Sequence, residues 1–121
     1  MTGSILVVED DAMIRDIADR ILTLAGYSVA PVASGAAALD LLKRVRFDLV
    51  LLDIHMPNMS GLDLLDHMRR LYVKVPVVMM TADREMSTVA AAREKGCIGY
   101  VVKPFLPETL VERVRKALVR T

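Results

Sequence analysis

Four short runs of the chain, residues 5–8, 49–52, 75–80 and 100–102, are apolar throughout, with no polar residue at alternate positions. A strand with one wet face alternates apolar and polar side chains, so a strand that is apolar throughout is buried on both faces. Burial on both faces is the mark of a parallel sheet covered by helices. A fifth run, residues 27–33, is weaker and is interrupted by Ser28 and Pro31. Proline cannot donate to a ladder and is confined to edges, so this run is expected at the edge of the sheet.

Helical patterns fill the gaps. Ile14, Ile17, Ala18, Ile21, Leu22 and Leu24 recur at helical spacing before Gly26, a usual stop residue. Ser34 is placed to cap a second helix through Ala36, Leu39, Leu41 and Leu42. A third follows Gly61, with Leu62, Leu64, Leu65 and Met68 inward, and a fourth covers residues 83–95 before Gly96. Pro107 opens the last, in which Leu110, Val111, Val114 and Leu118 form the buried stripe. A β-α unit repeated five times builds a doubly wound parallel sheet. With the weak strand second in sequence, the flavodoxin-like order 2-1-3-4-5 is expected, in a single domain over residues 1–121.

Sixteen basic and fifteen acidic side chains leave a net charge of +1. That balance gives no electrostatic reason to expect direct contact with nucleic acid or a membrane surface. Cys97 is the sole cysteine, which excludes an internal disulfide or a cysteine metal cluster and suits a reducing compartment. No apolar run reaches membrane-spanning length. Only one short apolar stretch precedes Glu9, Asp10 and Asp11, without a basic region or a cleavage site. A cytoplasmic location is therefore expected.

Ligands of a doubly wound sheet bind outside the carboxyl ends of its strands. There the sequence places Glu9 and Asp10 after strand 1, Asp53 after strand 3, Thr81 after strand 4 and Lys103-Pro104 after strand 5. Two carboxylates about 5 Å apart repel by roughly 3 kcal/mol at an effective dielectric near 20. Three of them require cations. Lys103 is one, and a hard divalent ion is the natural second, since carboxylates, a carbonyl and waters suit Mg²⁺. Metal and lysine together neutralise a phosphoryl group in transfer. Asp53, on the central strand beside the switch point, is the candidate nucleophile.

Four segments carry a family resemblance that covers essentially the whole chain. They are Val7-Val8-Glu9-Asp10-Asp11, Leu51-Leu52-Asp53-Ile54-His55-Met56-Pro57-Asn58-Met59-Ser60-Gly61, Met80-Thr81-Ala82, and Gly99-Tyr100-Val101-Val102-Lys103-Pro104-Phe105. In this order the chain resembles the CheY-like receiver domains of response regulators in two-component systems. The resemblance implies that Asp53 accepts a phosphoryl group from a histidine kinase or histidine phosphotransfer protein. It implies that Asp10 and Asp53 ligate Mg²⁺ (or Mn²⁺), with the carbonyl of His55 and with Glu9 through water. Lys103 is implied to contact the phosphoryl group, with a cis peptide before Pro104. Thr81 and Tyr100 resemble the switch pair, and small Ala82 would leave the phosphoryl path open.

The implied outcome is a signalling switch and not an enzyme, apart from limited self-phosphorylation from phosphodonors and autodephosphorylation. Its output would be a remodelled surface of the fourth helix, fifth strand and fifth helix (Met86, Val89, Arg93, Lys95, Tyr100 and Arg113). A downstream effector or output domain would bind there, or a second copy in a phosphorylation-dependent homodimer. The chain is expected to be a stand-alone receiver or a piece of a longer regulator.

Some positions depart from the family's pattern. Glu9 stands where many relatives carry Asp, His55 and Asp83 occupy positions that tune dephosphorylation, and Leu106 replaces a capping Asp or Ser. Asp11 reads as the first helix's N-cap, His67 as a surface residue and Cys97 as an inert turn residue. Three other functions fit these residues less well. A haloacid-dehalogenase-type enzyme needs a second Asp where His55 stands, and a flavin module needs aromatic walls in a chain only 4% aromatic. A degenerate receiver acting without phosphorylation is opposed by the complete residue set.

Overall fold

The computed structural model describes residues 3–82 and 86–119. Strands β1 (Ser4–Val8), β2 (Ser28–Val32), β3 (Leu49–Asp53), β4 (Val77–Thr81) and β5 (Gly99–Val102) alternate with helices α1 (Ala12–Leu24), α2 (Gly35–Arg44), α3 (Gly61–Arg70), α4 (Met86–Glu94) and α5 (Pro107–Val119). The sheet has the order β2-β1-β3-β4-β5, and every pairing is parallel. Expected topology and observed topology agree, with the weak strand at the edge.

Absence of alternation has a direct structural counterpart. Ile5, Val7, Leu49, Leu51, Val78, Met80 and Val101 face one side, where Ala18 and Leu22 of α1 and Leu110 and Val114 of α5 cover them. Their chain neighbours Leu6, Val8, Val50, Leu52, Val77 and Met79 face the other, beneath Ala38 of α2, Leu64 and Met68 of α3 and Ala92 of α4. The central strands β3 and β4 are buried at all five positions.

Boundaries shift for local reasons. The run expected over residues 75–80 pairs only from Val77 and continues to Thr81; Pro76 has no N–H to give a ladder, although its carbonyl still accepts from the N–H of Val50 at 2.9 Å. Pro31 sits on β2 opposite Val7 and is exposed. The helix expected over 83–95 is described from Met86 to Glu94, and Asp83 lies outside the described residues. His67, expected at the surface, is half-buried on α3.

Three helices end in the same way. After α1, the N–H of Gly26 bonds the carbonyl of Thr23 and that of Tyr27 bonds Leu22; after α4, Gly96 bonds Arg93 and Cys97 bonds Ala92. After α3, Tyr72 bonds Arg69 and Val73 bonds Met68. In each, the first residue of the pair adopts positive φ: 101° at Gly26, 103° at Gly96 and 57° at Tyr72. Glycine is the usual occupant because a Cβ strains this conformation. Tyr72→Gly is therefore expected to raise stability by up to about 1 kcal/mol. An unchanged or lower urea midpoint would contradict that.

Candidate functional site

At one rim of the sheet, β1, β3, β4 and β5 each end in, or lead directly into, a polar residue. The chain leaves β1 through Glu9 and Asp10, and Asp11 caps α1 by accepting from the N–H groups of Met13 and Ile14. Asp53 is the last residue of β3 and Thr81 the last of β4. The N–H of Ile54 bonds the Met80 carbonyl at 3.1 Å, and the N–H of Lys103 bonds the Thr81 carbonyl at 2.8 Å. These ladder bonds hold the side chains of β3, β4 and β5 in one register.

Glu9, Asp53 and Thr81 are the buried polar residues among those described. Glu9, Asp10 and Asp53 each bring a carboxylate oxygen within 4.8 Å of the others. Lys103 reaches into this group, with Nζ 2.6 Å from Glu9 Oε1 and 3.0 Å from Asp53 Oδ1. The contact with Asp53 is a hydrogen bond. That with Glu9 is a close ion pair, and Glu9 Oε1 is buried without a well-angled hydrogen bond among the described residues. The other oxygen, Oε2, accepts from the N–H of Asp11 at 3.2 Å.

Burial dominates the titration of Glu9. Desolvation pushes its carboxyl from 4.5 up to about 7, against the Lys103 contact and the Asp11 N–H that favour the charged form. For Lys103, burial alone would lower the ammonium, but contacts with Glu9 and Asp53 outweigh it and raise its pKa. The site is thus overloaded with negative charge that one lysine only partly offsets. Three hard oxygen donors, one of them buried and poorly satisfied, fit a small hard cation.

The other expected residues fall around this centre. The peptide before Pro104 is cis. The side chain of His55 is exposed, as is Ala82. Tyr100 on β5 is half-buried against the core. Cys97 is buried after α4, where desolvation raises its thiol and keeps it unreactive. The side chain of Met86 lies outside the described residues.

Two contributors were not legible beforehand. Arg15 on α1 donates from Nη1 to the Glu9 carbonyl at 2.9 Å, pinning the acidic loop. Gly61 opens α3 directly against β3, with its N–H on the Ile54 carbonyl at 2.8 Å. A methyl group there would overlap the Asp53 carbonyl oxygen and lie 2.9 Å from Ile54 Cα. Arg15 carries no local signal in the sequence, whereas Gly61 is marked there only as a helix start.

Comparison with known proteins gives a consistent picture. The family model for the response regulator receiver domain matches residues 5–115. The DNA-binding response regulator MtrA of Mycobacterium tuberculosis is 39% identical over 120 residues, which cover 99% of this chain and 52% of that relative. The chain spans about half the length of the curated relatives it matches. Chemotaxis protein CheY4 of Vibrio cholerae superposes with a TM-score of 0.90 at 31% identity, over 97% of this chain and 99% of that one. A CheY-like receiver domain protein from Methanospirillum hungatei reaches 0.91 at 29% identity, over 99% and 96%. A relative named for DNA binding gives no support to the expectation of no direct contact with nucleic acid. No helix among the described residues is long and apolar enough to cross a membrane.

Proposed function

The chain belongs to the response regulator receiver domain family of two-component systems, and on that premise we propose that it is a phosphorylation-controlled switch whose acceptor is Asp53. The observation that carries this reading is the meeting of a buried Asp53 carboxylate with Lys103 Nζ at 3.0 Å and with the oxygens of Glu9 and Asp10. A carboxylate placed this way can attack phosphorus in line. The new bond is an acyl phosphate, and the nitrogen–phosphorus bond of a phosphohistidine donor breaks, releasing imidazole. Lys103 balances charge on the phosphoryl oxygens as they approach.

Asp10 and Asp53, with the His55 carbonyl, would hold Mg²⁺, and Glu9 would reach it through water. Bound there, the ion supplies charge neutralisation for the phosphoryl oxygens. A phosphate adds about −1.5 to −2 charge and new acceptor oxygens. Thr81, buried at the neighbouring strand end, would bond one of them. Tyr100 would follow, altering the α4–β5–α5 face for an effector or a second copy. The donor would be a histidine kinase or phosphotransfer protein.

The test is intact-mass spectrometry after incubation with Mg²⁺ and a small-molecule phosphodonor. One phosphate on wild type, lost with hydroxylamine and absent with EDTA or in Asp53→Asn, is expected. No phosphate on wild type would refute the switch and leave a phosphorylation-independent module.

A protein donor would have to approach Lys103 across the apolar surface beside it. An open groove of about 400 Å³, lined by Ile14, Ile17, Ala82, Pro104 and Phe105, runs to Lys103. Ile17 lies 44% exposed on its wall. Ile17→Glu is expected to slow transfer from a protein donor on the order of tenfold and to leave uptake from a small donor unchanged. Equal loss with both donors would remove the groove from donor recognition.

A further inference from the structure

All five helices of this topology end at the pole where the strands begin, opposite the carboxylate rim. Cations gather there: Lys43 and Arg44 in the last turn of α2, and Arg69 and Arg70 in the last turn of α3. Their helix positions have an ordinary explanation, since cations complement the negative end of a helix dipole. That explanation does not reach Arg46 and Lys74, which are exposed in the loops after α2 and α3. Nor does it reach Tyr72, which is 84% exposed and holds the positive φ that its sibling helix ends give to glycine.

These loops flank an open cavity of about 390 Å³ whose lining includes Lys43, Arg44, Arg46, Tyr72 and Lys74 and no carboxylate. Arg44 is paired with Asp40 at 2.6 Å, so Lys43, Arg46 and Lys74 are the principal charges offered. The net charge of +1 conceals this segregation.

We propose that this basic pole binds single-stranded nucleic acid, with phosphates on Lys43, Arg46 and Lys74 and a base stacked on Tyr72. Lysine is depleted at the centres of protein–protein interfaces, whereas lysine and arginine around an exposed aromatic suit a single strand. A strained conformation that holds a ring in solvent fits a stacking platform and gives nothing to the core. The surface is separate from the Asp53 rim, at the other end of the strands.

The experiment is fluorescence anisotropy of a short labelled oligothymidylate with the whole chain, titrated across salt concentrations. Salt-sensitive binding is expected. Arg46→Ala with Lys74→Ala should flatten the logarithmic salt slope by about 1.4. Tyr72→Gly should weaken binding on the order of tenfold with the slope unchanged, while phosphate uptake at Asp53 stays at the wild-type level. No salt-sensitive binding at low ionic strength, or wild-type affinity in Tyr72→Gly, would overturn the proposal. Displacement by polyglutamate as effective as by unlabelled oligothymidylate would also overturn it and make the partner an acidic polypeptide.

Discussion

In EDTA at about pH 8, the Glu9→Gln chain is expected to be more stable than wild type by about 3 kcal/mol. Glu9 is 1% exposed, and burial raises its carboxyl from 4.5 to about 7 in the folded chain. Below the unfolded value both states hold the proton and the group costs nothing. Between 4.5 and about 7 the unfolded chain releases a proton that the folded chain retains, so stability falls as pH rises through this window. Above it the loss is complete. Glutamine cannot ionise, so the variant should lack this slope. It should match wild type near pH 4 (about the unfolded carboxyl value) and exceed it at neutral pH. Lys103 is not orphaned by the change, because Asp53 Oδ1 still lies 3.0 Å from its Nζ.

Adding Mg²⁺ should narrow the difference, since a ligand bound only by the folded state stabilises it and wild type offers the fuller donor set. Urea unfolding at several pH values, with and without Mg²⁺, checks both statements. A variant no more stable than wild type at about pH 8 in EDTA would show that Glu9 is not under the strain of its burial.

Gly61→Ala is expected to slow phosphorylation as well as to lower stability. The added methyl would meet the Asp53 carbonyl oxygen, Ile54 Cα at 2.9 Å and Met79 Cε at 3.0 Å. Two of these atoms are backbone of the strand end that carries the nucleophile, so α3 must withdraw or the Asp53 loop must move. Overpacking of this kind costs about 1–3 kcal/mol. A displacement of about 1 Å at a reacting group lowers its rate on the order of a hundredfold. Gly35→Ala is the control, because the three atoms nearest its methyl all belong to the side chain of Met59 and none to the Asp53 strand end, and it should leave phosphate uptake near wild type. Wild-type phosphorylation rates in Gly61→Ala would mean that the helix start does not set the nucleophile's position.

Why the rim was legible and the rest was not has a physical basis. Glu9, Asp53, Thr81 and Lys103 each follow an apolar run directly, with Asp10 next after Glu9, so recognising the strands and their parallel order places all five at one end. Pro31 located the edge, and Asp11 and Ser34 marked helix starts that they do cap. By contrast, Arg15 acts on Glu9 across a loop, and the need for Gly61 arises only where α3 touches β3. The basic pole was hidden for a related reason. Its cations lie in two segments some thirty residues apart, a spacing close to one whole β-α unit, and a summed charge discards that arrangement.

The rim draws on residues at positions 9, 53, 81 and 103, each delivered by a different strand. No local segment contains the site, and every inter-strand pairing from β1 to β5 must be in register before Lys103 meets Glu9 and Asp53. Such long-range pairings close late, after their loop entropy is met. A nascent or partly unfolded copy therefore holds the Asp53 carboxylate without its lysine, and is expected to draw little phosphate. If Asp53 is the acceptor as proposed, acyl-phosphate formation would double as a quality check on the pool of chains, and damaged copies would drop out of the signal without needing to be degraded first.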